Sequence, residues 1–348
     1  MDRNFWGFEF NSSPDPFNFD SKGTKKIFSR LGFSIAAYIA LSLVLILVAQ
    51  TVVLLVFGTA RATEIISSSY FIWGSQLVFM YAISFPVFCA MTRGVPRKIK
   101  KKSKMDIEEL FMLFFIAQLA QFIGSSISNL IINLVYLISG LDISQSVNDL
   151  VMDTPIWIII IVAVIIGPIF EELIFRRILI DRLSPFGEKF AIVTSAIAFG
   201  IFHGNPEQLI YTTALGFVFG YVYSVTRDIR YSIGLHMVFN FFGAVPVMLV
   251  YDSAEKIYSL PEEILMNPEA LLEYMPELMA VYGYSIVQLA FTGLGIYFLV
   301  KCVKQKRFKL NNEVDIRIPR DEIARTFLNP GVITFIVVSI ATFVLNLI

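Results

Sequence analysis

Charge is scarce in this chain. Only 16% of its 348 residues are charged, 56% are hydrophobic, and the mean hydropathy is +0.70. A water-soluble fold of this length needs a larger polar skin, so the apolar surface belongs in lipid. The 28 basic and 28 acidic residues cancel. That argues against a nucleic-acid partner, which requires a basic face able to displace counterions. Cysteine is far scarcer: Cys89 and Cys302 both lie in apolar runs and form no disulfide framework. Residues 1–23 are polar and aromatic, with Pro14 and Pro16. They lack the charged-then-apolar order of a cleavable signal and read as a loose cytoplasmic tail. Several hydrolase signatures are missing too. His203 is followed by Gly204 and His236 by Met237, so there is no H-E-x-x-H; there is no G-x-S-x-G, and Gly293-Leu294-Gly295 leads into Ile296 instead of the Asp of an aspartyl motif. No internal repeat of the kind found in inverted-repeat transporters is evident.

What is abundant is apolar runs near the ~20 residues that cross a bilayer. They fall at 31–57, 68–91, 108–139, 156–180, 187–203, 207–226, 231–251, 284–302 and 330–348. The predicted fold is therefore all-α, a polytopic membrane helix bundle of about eight to nine transmembrane helices. The third run is long enough for a break at Gly124-Ser125-Ser126, and the fifth is short. Basic residues precede the first run (Lys22, Lys25, Lys26, Arg30) and follow the second (Arg93, Arg97, Lys98, Lys100, Lys101, Lys102 and Lys104). They also end the fourth (Arg176, Arg177, Arg182), separate the sixth from the seventh (Arg227, Arg230) and follow the eighth (Lys301, Lys304, Lys306, Arg307). The alternate loops are acidic, with Asp142, Asp149 and Asp153 in one and Glu262, Glu263, Glu269, Glu273 and Glu277 in another. Lys and Arg stay inside, which predicts an integral, multi-pass cell-membrane protein with a cytoplasmic N-terminus.

The chain divides into a tail at 1–30, N-terminal transmembrane helices at 31–150, a core at 151–250 and a C-terminal part at 251–348. Residues 253–283 read as short amphipathic helices at the outer interface, and 311–325 as a charged inner loop.

Ionisable groups within hydrocarbon cost several kcal/mol, so each one is a functional candidate. In Glu171-Glu172-Leu173-Ile174-Phe175-Arg176-Arg177, Glu171 lies about 8 Å deeper than the arginines. Adjacent carboxylates point about 100° apart on a helix, which predicts that they share no partner. Glu172 and Arg176, four apart, form an ion pair, leaving Glu171 without a local one. Pro168, a turn upstream, frees a carbonyl and can bend the helix. For Glu108 and Glu109, by contrast, a helix N-terminus suffices as explanation. The chain's two histidines both fall in membrane runs: His203 ends the fifth, and His236 lies early in the seventh with Asn240 one turn on. A hairpin turning near 184–187 sets Glu171 opposite Phe199, within a turn of His203. His236 is about 9 Å past Arg230, so the polar groups of three helices share one depth. Such a cluster suits peptide hydrolysis, in which a carboxylate activates water and imidazole and amide groups face the developing oxyanion.

These motifs, Glu171-Glu172-x-x-x-Arg176, Phe199-x-x-x-His203 and His236-x-x-x-Asn240, resemble the CPBP family (CAAX proteases and bacteriocin-processing enzymes, also called Abi). The likeness covers roughly 156–245 and includes Gly216 and Gly220, which suit a closely packed helix. It implies a type II CAAX prenyl endopeptidase-like fold and peptide hydrolysis within the membrane, with Glu171 activating water and His203 assisting. It further implies that His236 and Asn240 hold the oxyanion, while Glu172, Arg176 and Phe199 support the site. A catalytic zinc on His203, His236 and Glu171 is chemically allowed, since three protein ligands and a water make such a set, but no spacing demands it. No cofactor is required by any motif. The implied partners are membrane lipid and a peptide or membrane-protein substrate. The alternatives are a non-catalytic scaffold or bacteriocin-immunity-type protein that binds a peptide in the same cavity, and a proton-coupled transporter using the carboxylate and histidines as a relay.

Overall fold

Hydropathy alone starts the first helix too late. In the computed structural model, which describes residues 21–141, 143–144, 152–310, 314–319 and 322–347, helix α1 runs from Ser21 to Ile66 with its path broken at Gly58 (φ +72°). Residues 21–30 are thus helix, not tail: Ile27, Phe28, Leu31, Ile35 and Tyr38 recur on one face and are buried, which holds the basic first turns against the bundle. The rest of the expected tail, residues 1–20, lies outside the described residues, as do Asp142 and Asp149.

Eight further helices follow: α2 (Ser69–Thr92), α3 (Ile107–Ser139), α4 (Ile156–Phe186), α5 (Glu188–Phe202), α6 (Pro206–Thr226), α7 (Ile229–Tyr258), α8 (Met275–Lys304) and α9 (Pro330–Leu347). The described residues contain no strand, and the fold is a polytopic helical bundle. Among them seven helices are long and apolar enough to cross a membrane; α9 is a shorter apolar helix, and α5 has only 15 residues. Large side chains such as Leu55, Leu137 and Ile138 point outward, as a lipid-facing surface requires.

Two sequence expectations need correction. Helix α3 is continuous through Gly124. The glycine is there for packing: a Cβ on it would meet the Tyr211 backbone of α6 at 2.6 Å. The 253–283 stretch is only partly a set of short interface helices. Its first residues extend α7 to Tyr258, its last begin α8, and between them lie the short helices Glu262–Leu265 and Pro268–Leu271 and a 3-10 turn at Leu272–Tyr274.

Helices α5 and α6 form a hairpin held together by small residues. A Cβ on Gly216 would fall 2.7 Å from Cα of Ala196, and one on Gly200 would fall 2.8 Å from the Leu209 carbonyl oxygen. Fifteen residues give α5 a length of about 22 Å, short of the ~30 Å hydrocarbon core. The hairpin tip, His203 to Asn205, therefore sits inside the bundle. Asn205 caps α6 there by accepting hydrogen bonds from the Glu207 and Gln208 amides.

The opposite end of the hairpin is tied down by ion pairs. Arg227, in the left-handed region at φ +52°, ends α6 and reaches Glu188 at 2.8 Å and Asp181 at 3.5 Å. Lys100 also reaches Glu188, at 2.7 Å. The Tyr223 hydroxyl donates to Asp181 (2.8 Å) and the Arg182 guanidinium donates to the Thr92 carbonyl. Lys98 joins Asp315 at 2.5 Å. Loops that the charge pattern places on one side are thus gathered at one end of the bundle. With that end fixed, α4, α5 and α7 can hold their polar groups at a set height.

Candidate active site

Glu171 and Glu172 occupy a short α-helical stretch, Gly167–Glu172, between two π-helical ones, Ile160–Ile166 and Leu173–Ile180. The Gly167 amide, next to Pro168, bonds back to the Val162 carbonyl. Such widened turns recur at functional sites, because they re-aim side chains without ending the helix. Here the two carboxylates part company. Glu172 points into protein and is wholly buried, whereas the Glu171 side chain keeps 21% of its surface exposed to a cavity.

Arg176 is also wholly buried and pairs with Glu172, Nε to Oε2, at 3.2 Å. Its guanidinium lies 4.5 Å from the ring centre of Phe199 and 5.6 Å from that of Phe219. One carboxylate and two aromatic faces are the partners given to this buried cation.

The second partner of Glu172 corrects the sequence reading. His236 Nδ1 lies 3.0 Å from Glu172 Oε1, and its Nε2 lies 3.6 Å from Glu171 Oε2. Adjacent carboxylates do share a partner, because imidazole carries nitrogens on two sides and its ring spans the 100° between them. The ring stacks on Phe219 at 4.5 Å and 24°, fixing its plane. Asn240, one turn along α7, donates from Nδ2 to the Ala163 carbonyl at 2.9 Å. That carbonyl lies on the π-helical stretch ahead of Gly167, so one opened turn of α4 anchors the carboxamide. His203, at the hairpin tip, sets Nδ1 against the Phe199 carbonyl at 2.8 Å. A carbonyl only accepts, so Nδ1 carries the proton and Nε2 is left with its lone pair.

Glu171, His203, His236, Asn240 and Phe199 line one cavity of about 210 Å³. It lies where three packing clusters meet, with Phe199 from one, Leu215 and Phe239 from the second and Ala163 and Ala244 packed against the third. Attention to ionisable groups alone misses Gln121, Gln208, Tyr211 and Thr212, which share its wall. Uncharged polar side chains inside membrane runs were the available signal. A metal finds no built set here: among the described residues no three His, Cys, Asp or Glu side chains converge as ligands.

A family model described as type II CAAX prenyl endopeptidase Rce1-like matches residues 153–242. The Bacillus subtilis (strain 168) protein named "Putative membrane peptidase YdiL" is 31% identical over 185 residues, covering 49% of this chain and 71% of that protein. The chain belongs to the CPBP family. No solved structure matches it. As a CPBP member with several apolar helices it is an integral, multi-pass membrane protein, and family and relative together support a membrane peptidase. The matched stretch runs from the start of α4 to just beyond Asn240, so it contains all three motifs.

Proposed function

We propose that this protein is an intramembrane endopeptidase in which Glu171 activates the hydrolytic water. The observation that carries the reading is the ordered chain Arg176–Glu172–His236–Glu171 (3.2, 3.0 and 3.6 Å), which ends in a carboxylate open to a cavity. Glu171 takes a proton from water as the oxygen attacks the scissile carbonyl carbon, with His203 Nε2 placed to accept a hydrogen bond from the same water. The carbonyl electron pair moves to oxygen. That oxyanion is met by the second N–H of Asn240, whose first is held by Ala163, and by His236 when protonated on Nε2. Glu172 balances the imidazolium and sets its orientation. The C–N bond then breaks, and Glu171 returns its proton to the leaving amine.

No step calls on a metal, so activity should survive exhaustive chelation. The substrate is a peptide or membrane protein that reaches the site through lipid, and the basic loops face the cytoplasm, as does the N-terminus. The test is a comparison of protein N-termini in membranes carrying the parent or Glu171→Gln. New N-termini that depend on Glu171 support the reading. Identical profiles would favour the scaffold alternative.

A further inference from the structure

Glu171 and His203 line a second cavity as well. It measures about 430 Å³ and lies between α1, α2, the tip of α5 and Thr342 of α9, whereas the first is bounded by α3, α6 and α7. The two side chains therefore form a wall common to both chambers. The second chamber is long. On α1 it is lined from Tyr38 to Gln50, and on the antiparallel α2 from Tyr81 back to Phe71. Twelve residues of helix rise about 18 Å. Tyr38 is about 12 Å along α1 from Arg30, and Gln50 about 30 Å, so the chamber leads from the level of the site away from the basic loops.

More than half of its lining side chains carry a polar group, among them Tyr38, Ser42, Gln50, Gln76 and Tyr81. That composition is foreign to a lipid-facing groove. Two details point to the occupant. Tyr38 is 1% exposed, and its hydroxyl has no hydrogen-bond partner among the described residues. Tyr81, 6% exposed, receives only a 3.4 Å bond from Gln76. A buried phenol left unpaired is costly, and small polar cavities answer that cost with water. Both phenols share the wall of this chamber with Glu171.

We propose that this second chamber is a water vestibule which supplies Glu171 from the membrane face opposite the basic loops, with Tyr38 as a positioning residue for the incoming water. Substrate and water then reach the shared carboxylate from opposite sides. The peptide occupies the smaller chamber beside Asn240, and the nucleophile arrives past Tyr38. The inference rests on the peptidase reading for its purpose, but its physical content, a wet cavity, is independent of it.

Labelling of single cysteines tests the cavity without any substrate. In a Cys89→Ser/Cys302→Ser background, Ile46→Cys and Ile72→Cys, both in the wall, are compared with the lipid-facing Leu55→Cys, whose native leucine is 80% exposed. The probe is a membrane-impermeant methanethiosulfonate added to either side of sealed vesicles. Because the thiolate is the reacting species and forms in water, the wall cysteines should react at least about tenfold faster than the control, and only from the face opposite the basic loops. Rates equal to the control would mean that lipid fills the chamber, and reaction from the basic face alone would reverse the route; either overturns the proposal. Tyr38→Phe, which leaves the fold in place, should lower kcat about five- to tenfold with KM unchanged, as for one lost hydrogen bond. An unchanged kcat removes Tyr38 from its role. Failure of the peptidase reading registers separately, as an active Glu171→Gln.

Discussion

The Glu172–Arg176 pair offers a perturbation whose size follows from its surroundings. Both side chains are wholly buried, 3.2 Å apart, and the guanidinium is otherwise faced by Phe199 and Phe219. Removing one member of such a pair strands a charge in a medium that cannot solvate it, and costs about 3–5 kcal/mol. Arg176→Met should fall in that range by leaving Glu172 with His236 alone, and Glu172→Gln should do so by leaving Arg176 between two rings. The double variant strands neither charge. Methionine fills much of the arginine volume and Gln still offers His236 Nδ1 an oxygen, so stability should return to within about 1–2 kcal/mol of the parent. Activity should not return with it, because no full negative charge then supports a protonated His236. Stability is read by SDS titration of detergent-purified protein, and activity on a substrate found by N-terminal profiling. Additive losses in the double variant would refute the idea that charge burial dominates here. Recovery of both stability and activity would show that the Glu172 charge is dispensable for His236.

Other outcomes follow from the same contacts. Gly216→Ala puts a Cβ 2.7 Å from the Ala196 backbone and should cost about 1–3 kcal/mol together with activity, since it pries the α5–α6 hairpin that carries His203. Gly234→Ala, which meets nothing within 4 Å, should lower neither the melting temperature nor the rate, and an equal effect of the two would contradict the packing argument. Asp228 caps α7, and the Arg230 guanidinium at 2.6 Å holds its carboxyl well below the usual carboxylate range. A lowered native pKa stabilises the fold above the unfolded value of about 3.9 and loses that effect as pH falls through the native value. The melting difference between the parent and Asp228→Asn should therefore be full above about pH 5 and shrink below pH 4; a gap that widens on acidification would reverse the sign. Asn240→Ala should reduce kcat by about 10²–10³, the loss of one oxyanion donor, and a change confined to KM would move Asn240 out of that role.

Much of this arrangement was legible in the sequence, because lipid makes polar residues conspicuous. All nine apolar runs correspond to helices, and the depth argument for Glu171, His203 and His236 drew together residues that the fold does place around one cavity. What escaped has physical causes. Hydropathy averages over a window, so it missed the amphipathic start of α1, where Ile27 and Phe28 are buried between Lys26 and Arg30. It took Gly124 for a break although the glycine is a packing notch. The π-helical turns around Gly167–Glu172 shift side-chain directions away from the 100° step, and a ring with two nitrogens defeats an argument built on one partner per carboxylate. Gln121, Gln208 and Tyr38 bear no charge, so a search for ionisable groups passed over them.

Glu171 is the residue on which the chemistry depends, and Glu171→Gln is nearly isosteric and leaves the Arg176–Glu172–His236 chain intact. Single-turnover hydrolysis by the purified variant, beside a parent of matched melting temperature, tests that dependence most directly. Loss of a general base predicts a rate at least about 10²–10⁴-fold slower, with substrate binding retained. Cleavage at the parental rate would contradict the account at its root.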